Sequence, residues 1–243
     1  MLQKGGKGFS LVELLVVVAI VAVLAAVLFP VFSSAKTAAR KTGCSCNVRQ
    51  IGIALAMYCD EWEGRFPGSS HGLSVEEGSW IYQLKPYLAN VDEIRVCPSD
   101  PWKKERLEQR GTSYTMNEFI VVPAEGEEQF LNRDLLPQPS STITTFTTSD
   151  ERTNCRSVGK GWDNDHTHSR NWIRSPFNRN WSRILDDIKP DRHRQGLVTC
   201  GTENRTKGAA NYLYADTHVK SIPAARIFAW AQENVNFARP PEN

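Results

Sequence analysis

The densest group of side chains able to do chemistry is Asp163, Asp165, His166 and His168. In an extended segment Asp163 and Asp165 share one face, and His166 and His168 share the other. Carboxylate oxygens at such spacing suit Ca²⁺, and imidazole nitrogens suit Zn²⁺. No complete ligand set is visible, and a solvated polar loop has the same composition. Asp163 and Asp165 are the metal-ligand candidates, with Ca²⁺ the candidate ion and no other cofactor expected. A second group interleaves Arg170, Arg174, Arg179 and Arg183 with Trp172 and Trp181. Guanidinium and aromatic groups together suit a nucleic-acid single strand. Asp186, Asp187 and Asp191 dilute that charge, and the whole chain carries only +2, so nucleic acid is not an expected partner. Asp150 and Asp216, each at the end of an expected strand, read as turn-formers. The chain has no Gly-x-Ser-x-Gly elbow, no phosphate loop and no His-Glu-x-x-His. Cys44-Ser45-Cys46 has the wrong spacing for a zinc knuckle or a thioredoxin-like pair. No enzymatic activity is expected.

One further chemical group stands apart. Glu13 sits inside a run from Phe9 to Phe32 in which only Ser10, Glu13 and Pro30 are not plainly apolar. As a helix these 24 residues span roughly 36 Å, enough to cross a ~30 Å hydrocarbon layer with some tilt. Lys4 and Lys7 precede the run, which predicts a cytoplasmic N-terminus and an outward C-terminal portion. A carboxylate at this depth costs about 2.5–3.5 kcal/mol on insertion scales, so Glu13 should have a partner or a task. Pro30 removes a hydrogen bond from the helix interior, and a kink or melted turn is expected there.

Beyond Pro30 the helical pattern turns amphipathic. Cys44, Val48, Ile51, Leu55, Tyr58 and Trp62 fall at offsets 0, 4, 7, 11, 14 and 18, one stripe of a 3.6-residue period. A single helix from about Phe9 to Trp62 is predicted, its first half in a membrane or filament core and its second half packed on a globular domain. Gly64-Arg65-Phe66-Pro67-Gly68 ends it. A short helix is expected at 80–84 and another at 224–233. Strands are expected at 113–117, 142–148, 197–199, 211–214 and 218–221, the last two joined by a hairpin turn at Ala215-Asp216-Thr217. Residues 150–190 show little periodicity and read as an elaborated loop region, and 239–243 as a disordered tail. Under the topology above, all six cysteines (44, 46, 59, 97, 155 and 200) lie outside the membrane, where disulfides are permitted. Six cysteines allow 15 complete pairings. Cys46 and Cys59, 13 residues apart on one helix, are too distant to bridge.

The stretch Lys7-Gly8-Phe9-Ser10-Leu11-Val12-Glu13-Leu14-Leu15 resembles the prepilin peptidase site of type IV pilins and type II secretion pseudopilins. The resemblance implies cleavage after Gly8, N-methylation of Phe9, and an assembly role for Glu13, which would pair with the new amine of a neighbouring subunit. It also implies a kink-forming Pro near position 30. A secretory signal peptide cut near Ser33-Ser34-Ala35 is the competing reading, and Glu13 and the helical continuation argue against it. A second resemblance lies at Lys207 to Val219, which is similar to the C-terminal motif of a group of pilin-like proteins, a His followed nine residues later by Asp-Gly. Here Asp216 is present, Thr206 stands at the His and Thr217 at the Gly. The same group implies that Cys44 and the Cys97-Pro98-Ser99-Asp100 turn come together, which makes Cys44 and Cys97 disulfide candidates. Major pseudopilins carry Ca²⁺ in C-terminal loops, which is what the resemblance adds for Asp163 and Asp165.

The expected fold is α+β and pilin-like: a long N-terminal helix on a small antiparallel sheet with a long, loop-rich insertion. The expected organisation is a leader (1–8), a transmembrane or filament-core half-helix (9–32) and an extracytoplasmic globular domain (33–243). The expected function is that of a structural subunit of a type IV pilus-like or secretion pseudopilus filament, first inserted in the inner membrane. Its expected partners are prepilin peptidase, other pilin or pseudopilin subunits and an inner-membrane assembly platform. The alternative is a pilin-like surface or tip protein that binds DNA or a surface polymer through the 150–190 insertion.

Overall fold

The computed structural model describes residues 10–69, 79–89, 91–150, 165–173, 180–195 and 205–242. Its first element, α1 (Leu11–Glu61), is a continuous helix of 51 residues, roughly 77 Å long at 1.5 Å per residue. Pro30 lies inside it without ending it, so the helix is not melted at that point. The two halves differ completely in burial. The large apolar side chains from Leu11 to Phe32 are 49–78% exposed. The rear half buries Cys44, Val48, Ile51, Gly52, Ala54, Leu55, Tyr58 and Cys59, which are the expected stripe and its flanks. Trp62 departs from the expectation: it is exposed and stacks on Tyr58 at 5.5 Å. The chain then leaves the helix through Glu63 (φ +54°) and Gly64 (φ +79°). A Cβ on Gly64 would lie 2.4 Å from the Asn132 side-chain oxygen, so glycine is needed there for space and for backbone angle.

The rear half of α1 packs on a four-stranded sheet made of β1 (Tyr114–Met116), β2 (Ile143–Thr147), β3 (Ala209–Tyr214) and β4 (Val219–Pro223). The strand order is β1-β2-β3-β4 and every pairing is antiparallel. Register places Met116 beside Thr145 and Thr145 beside Leu213, so these residues share the face turned to α1. Gly52 lets the helix approach that face closely: a Cβ there would meet the end of Leu213 at 2.6 Å. Asn211 reaches across to donate to the Lys41 carbonyl at 3.1 Å. The opposite face carries Phe146 and Tyr212, which meet edge to face at 5.9 Å. Trp172 and Phe237 close over Phe146 at 5.7 and 6.3 Å. Helices α2 (Asn180–Asp187) and α3 (Ala224–Gln232) complete this second layer.

The α+β architecture is the one expected. The expected strands at 113–117, 142–148, 211–214 and 218–221 are present with small shifts at their ends, whereas 197–199 lies outside the described residues. The C-terminal segment is a correction. Ala238 is buried, its carbonyl accepts from Asn117 Nδ2 at 2.6 Å, and Arg239 pairs with Glu127 at 2.7 Å. The tail through this point is part of the packed structure because a buried amide fixes it.

Candidate functional site

Two regions carry functional candidates, and the first is the start of α1. Ser10 is its N-cap, and the Ser10 side chain accepts from Val12 N–H at 3.3 Å. Glu13 reaches back so that Ser10 N–H donates to its Oε2 at 2.9 Å. This is a capping box, which satisfies donors that the first helical turn would otherwise leave unpaired. Gly8 and Phe9 lie outside the described residues. Sequence reasoning gave Glu13 an intermolecular task and missed this local one, although the Ser-x-x-Glu pattern that signals it was present. Behind the cap, the most apolar 18-residue window of α1 has a mean hydropathy of 3.2 and none of it is buried. By length and composition α1 can cross a membrane.

The second region is a polar core at the far end of the sheet. The Cys97–Asp100 turn, the end of β2 and the 188–194 segment meet there. Asp100 pairs with Arg106 at 2.7 Å, and Arg192 pairs with Asp150 at 2.7 Å. Lys189 approaches Asp150 at 3.3 Å, and Arg106 approaches it at 3.5 Å. A separate buried pair joins Arg205 to Asp191 at 2.6 Å. Burial alone would raise the Asp150 pKa, but Arg192 and Lys189 outweigh it and hold the carboxyl at about 2. Asp150 is thus the hub of a buried ion network and more than a turn-former. The network escaped the sequence because its members are 6 to 92 residues apart (Asp100 to Arg106, and Asp100 to Arg192) and each alone reads as a surface residue.

Cys44 and Cys97, the disulfide candidates, come together beside this network. Both are buried and are free thiols in the structure. His193 joins them, with one ligand atom from each of the three within 4.8 Å of the others. The Cys97 thiol, hydrogen-bonded to Cys44, lowers the Cys44 pKa well below its usual value against the effect of burial, and His193 assists. Burial pushes the Cys97 thiol up. Cys46 is exposed, and Cys59 is a buried thiol raised by burial to about 12, which leaves Cys59 inert.

The other candidates are dispersed or engaged. Asp163 lies outside the described residues. Asp165 is buried, and its Oδ1 is 2.8 Å from His166 Nδ1. Its backbone carbonyl accepts from Trp80 Nε1 at 2.7 Å, which fixes the segment structurally. His168 turns to Asp187, whose Oδ2 also accepts from Trp172 Nε1 at 2.7 Å. In the basic group, Arg170 is taken up by Glu118 and Glu127, and Arg183 donates to the Asn171 carbonyl at 2.8 Å. Arg174 and Arg179 lie outside the described residues. An open groove of about 480 Å³ is lined by His168, Asn171, Trp172, Arg183, Asp186 and Asp187.

Comparison with known proteins bears on the N-terminal segment and on the domain that follows it. A prokaryotic N-terminal methylation motif matches residues 4–29. The family described as "Protein of unknown function (DUF1559)" matches residues 33–206. The chain is similar to the type II secretion system core protein G of Pseudomonas aeruginosa, with 31% identity over 104 residues, 42% of this chain and 72% of that protein. No solved structure matches the chain. An apolar, uncovered N-terminal helix with this motif, set on an antiparallel sheet, places the chain in the DUF1559 family of type IV pilin- and pseudopilin-like proteins.

Proposed function

We propose that this chain is a structural subunit of a pilus-like or pseudopilus filament. It is inserted in the inner membrane with its N-terminus cytoplasmic, cut by prepilin peptidase between Gly8 and Phe9, and methylated on Phe9. Subunits then leave the membrane with the help of an assembly platform and polymerise through the front half of α1. The observation that carries this reading is the uncovered apolar half-helix, whose large side chains are 49–78% exposed. An apolar surface of that length has to be covered by lipid or by copies of itself. In this proposal Glu13 exchanges its bond to the Ser10 N–H for the amine of a neighbouring Phe9, which neutralises two charges inside an apolar shaft. The metal expectation at Asp163 and Asp165 has no part in it.

Intact mass and N-terminal sequencing of the protein from its native membrane or surface fraction test the reading. A chain that starts at N-methyl-Phe9 supports it. A chain that retains Met1, or starts after Ala35, would sink it. Glu13→Ala should leave cleavage intact and abolish filament recovery.

A further inference from the structure

Cys44, Cys97 and His193 come from three distant parts of the chain: α1, the Cys97–Asp100 turn and the 189–194 segment. The two cysteines are fully buried and His193 is 6% exposed. Ser99 organises the cluster twice. Its backbone N–H donates to the Cys97 sulfur at 3.4 Å, and its hydroxyl holds His193 Nδ1 at 3.0 Å. The remaining ring nitrogen, Nε2, is buried without a geometric hydrogen bond, while the ring lies close enough to Cys44 to act on its thiol. A buried polar atom is ordinarily satisfied, so this ring nitrogen is available to a ligand that enters the cluster. Two sulfurs and one imidazole nitrogen within 4.8 Å are the donor set of a soft cation, and an outer hydrogen bond to the other ring nitrogen is how metal-binding histidines are oriented.

We propose that Cys44, Cys97 and His193 bind one thiophilic d¹⁰ cation, with Zn²⁺ as the ion that two thiolates neutralise. Neutrality matters because the site is sealed from water and Arg192, beside Cys97, is already balanced by Asp150 and Asp100. The Tyr114 hydroxyl, 3.4 Å from the Cys44 sulfur, is a further oxygen donor at the site. Cys44 and Cys97 each release one proton as the ion binds, so that two thiolates balance its charge. The bound ion ties the rear half of α1 to the polar core. This inference stands independently of the filament reading.

The test uses the full chain in detergent under thiol reductant, with Cys46, Cys155 and Cys200 changed to Ser, and with Zn²⁺ or Co²⁺ alone as the probe. One Zn²⁺ per chain should survive desalting. Co²⁺ should give the near-ultraviolet absorption of thiolate ligation, a signature that needs no further variant. Cys97→Ser should abolish both, His193→Gln should strongly weaken binding, and Ser99→Ala, which removes the outer hydrogen bond to the ring, should weaken affinity by about 10- to 100-fold. A folded, reduced chain that retains no metal would overturn the proposal, as would a Co²⁺ spectrum unchanged by His193→Gln. Natively isolated protein 2 Da lighter than its reduced form, with Cys44 joined to Cys97, would overturn it in favour of a disulfide.

Discussion

The two halves of α1 are both helical and both carry large apolar side chains, yet the rear half buries a stripe of them and the front half buries none. Ile20 is 55% exposed, and Ile51 is fully buried. The rear half carries its apolar residues as a stripe, interrupted by Arg49, Asp60 and Glu61, and a sheet within the same chain covers that stripe. The front half is apolar on all sides, a pattern no single sheet can cover. Periodicity distinguishes a helix that finds its partner at home from one that needs many partners or a lipid layer around it.

The sharpest test of this contrast makes the same substitution in both halves. Ile51→Ala should lower the stability of the domain by about 2–5 kcal/mol, because the cavity lies between α1 and the sheet. Ile20→Ala should leave denaturant unfolding of the domain unchanged in the full chain in detergent. A comparable loss at Ile20 would break the division. A second test uses acid. Asp150 has a pKa of about 2 in the folded chain, below the usual value of 3.8, so its contribution is complete above about pH 4 and is lost as pH falls toward 2. That amounts to about 2 kcal/mol at neutral pH. Unfolding followed by circular dichroism from pH 6 to pH 2 should show this loss in the wild-type chain and a smaller one in Asp150→Asn. The smallest effect is expected at Thr217, a β-branched residue at φ +73° in the β3–β4 turn. Thr217→Gly relieves that backbone and should gain about 1 kcal/mol in thermal unfolding.

Much of this arrangement was legible in the sequence because it repeats. The stripe from Cys44 to Tyr58 recurs every three or four residues, and β-branched residues cluster from Thr142 to Thr148 around β2. The turn at Thr217 was readable because Thr stands there where the resembled C-terminal motif has Gly. The polar core was not legible. Asp100, Arg106, Asp150 and Arg192 have no common spacing, and their pairing exists only once the sheet has formed. The same holds for His193, whose place beside Cys44 and Cys97 depends on a contact 94 residues away with Ser99. The packed C-terminal segment looked like a polar, proline-rich tail because Asn117, which anchors it, lies 121 residues upstream.

The unbroken passage of α1 through Pro30 has a mechanical consequence. From Phe32 to Cys44 the helix advances 12 residues with its side chains largely exposed, among them Lys36 and Arg40, and with Lys41 half-buried. At 1.5 Å per residue this is a stalk of roughly 18 Å. It sets basic groups at the boundary between the front half and the domain, which meets it at the Lys41 carbonyl and at Ser34. A rigid stalk also transmits torque: a subunit turned at its apolar end must turn its domain by the same angle, so the orientation of the outer surface is set from within.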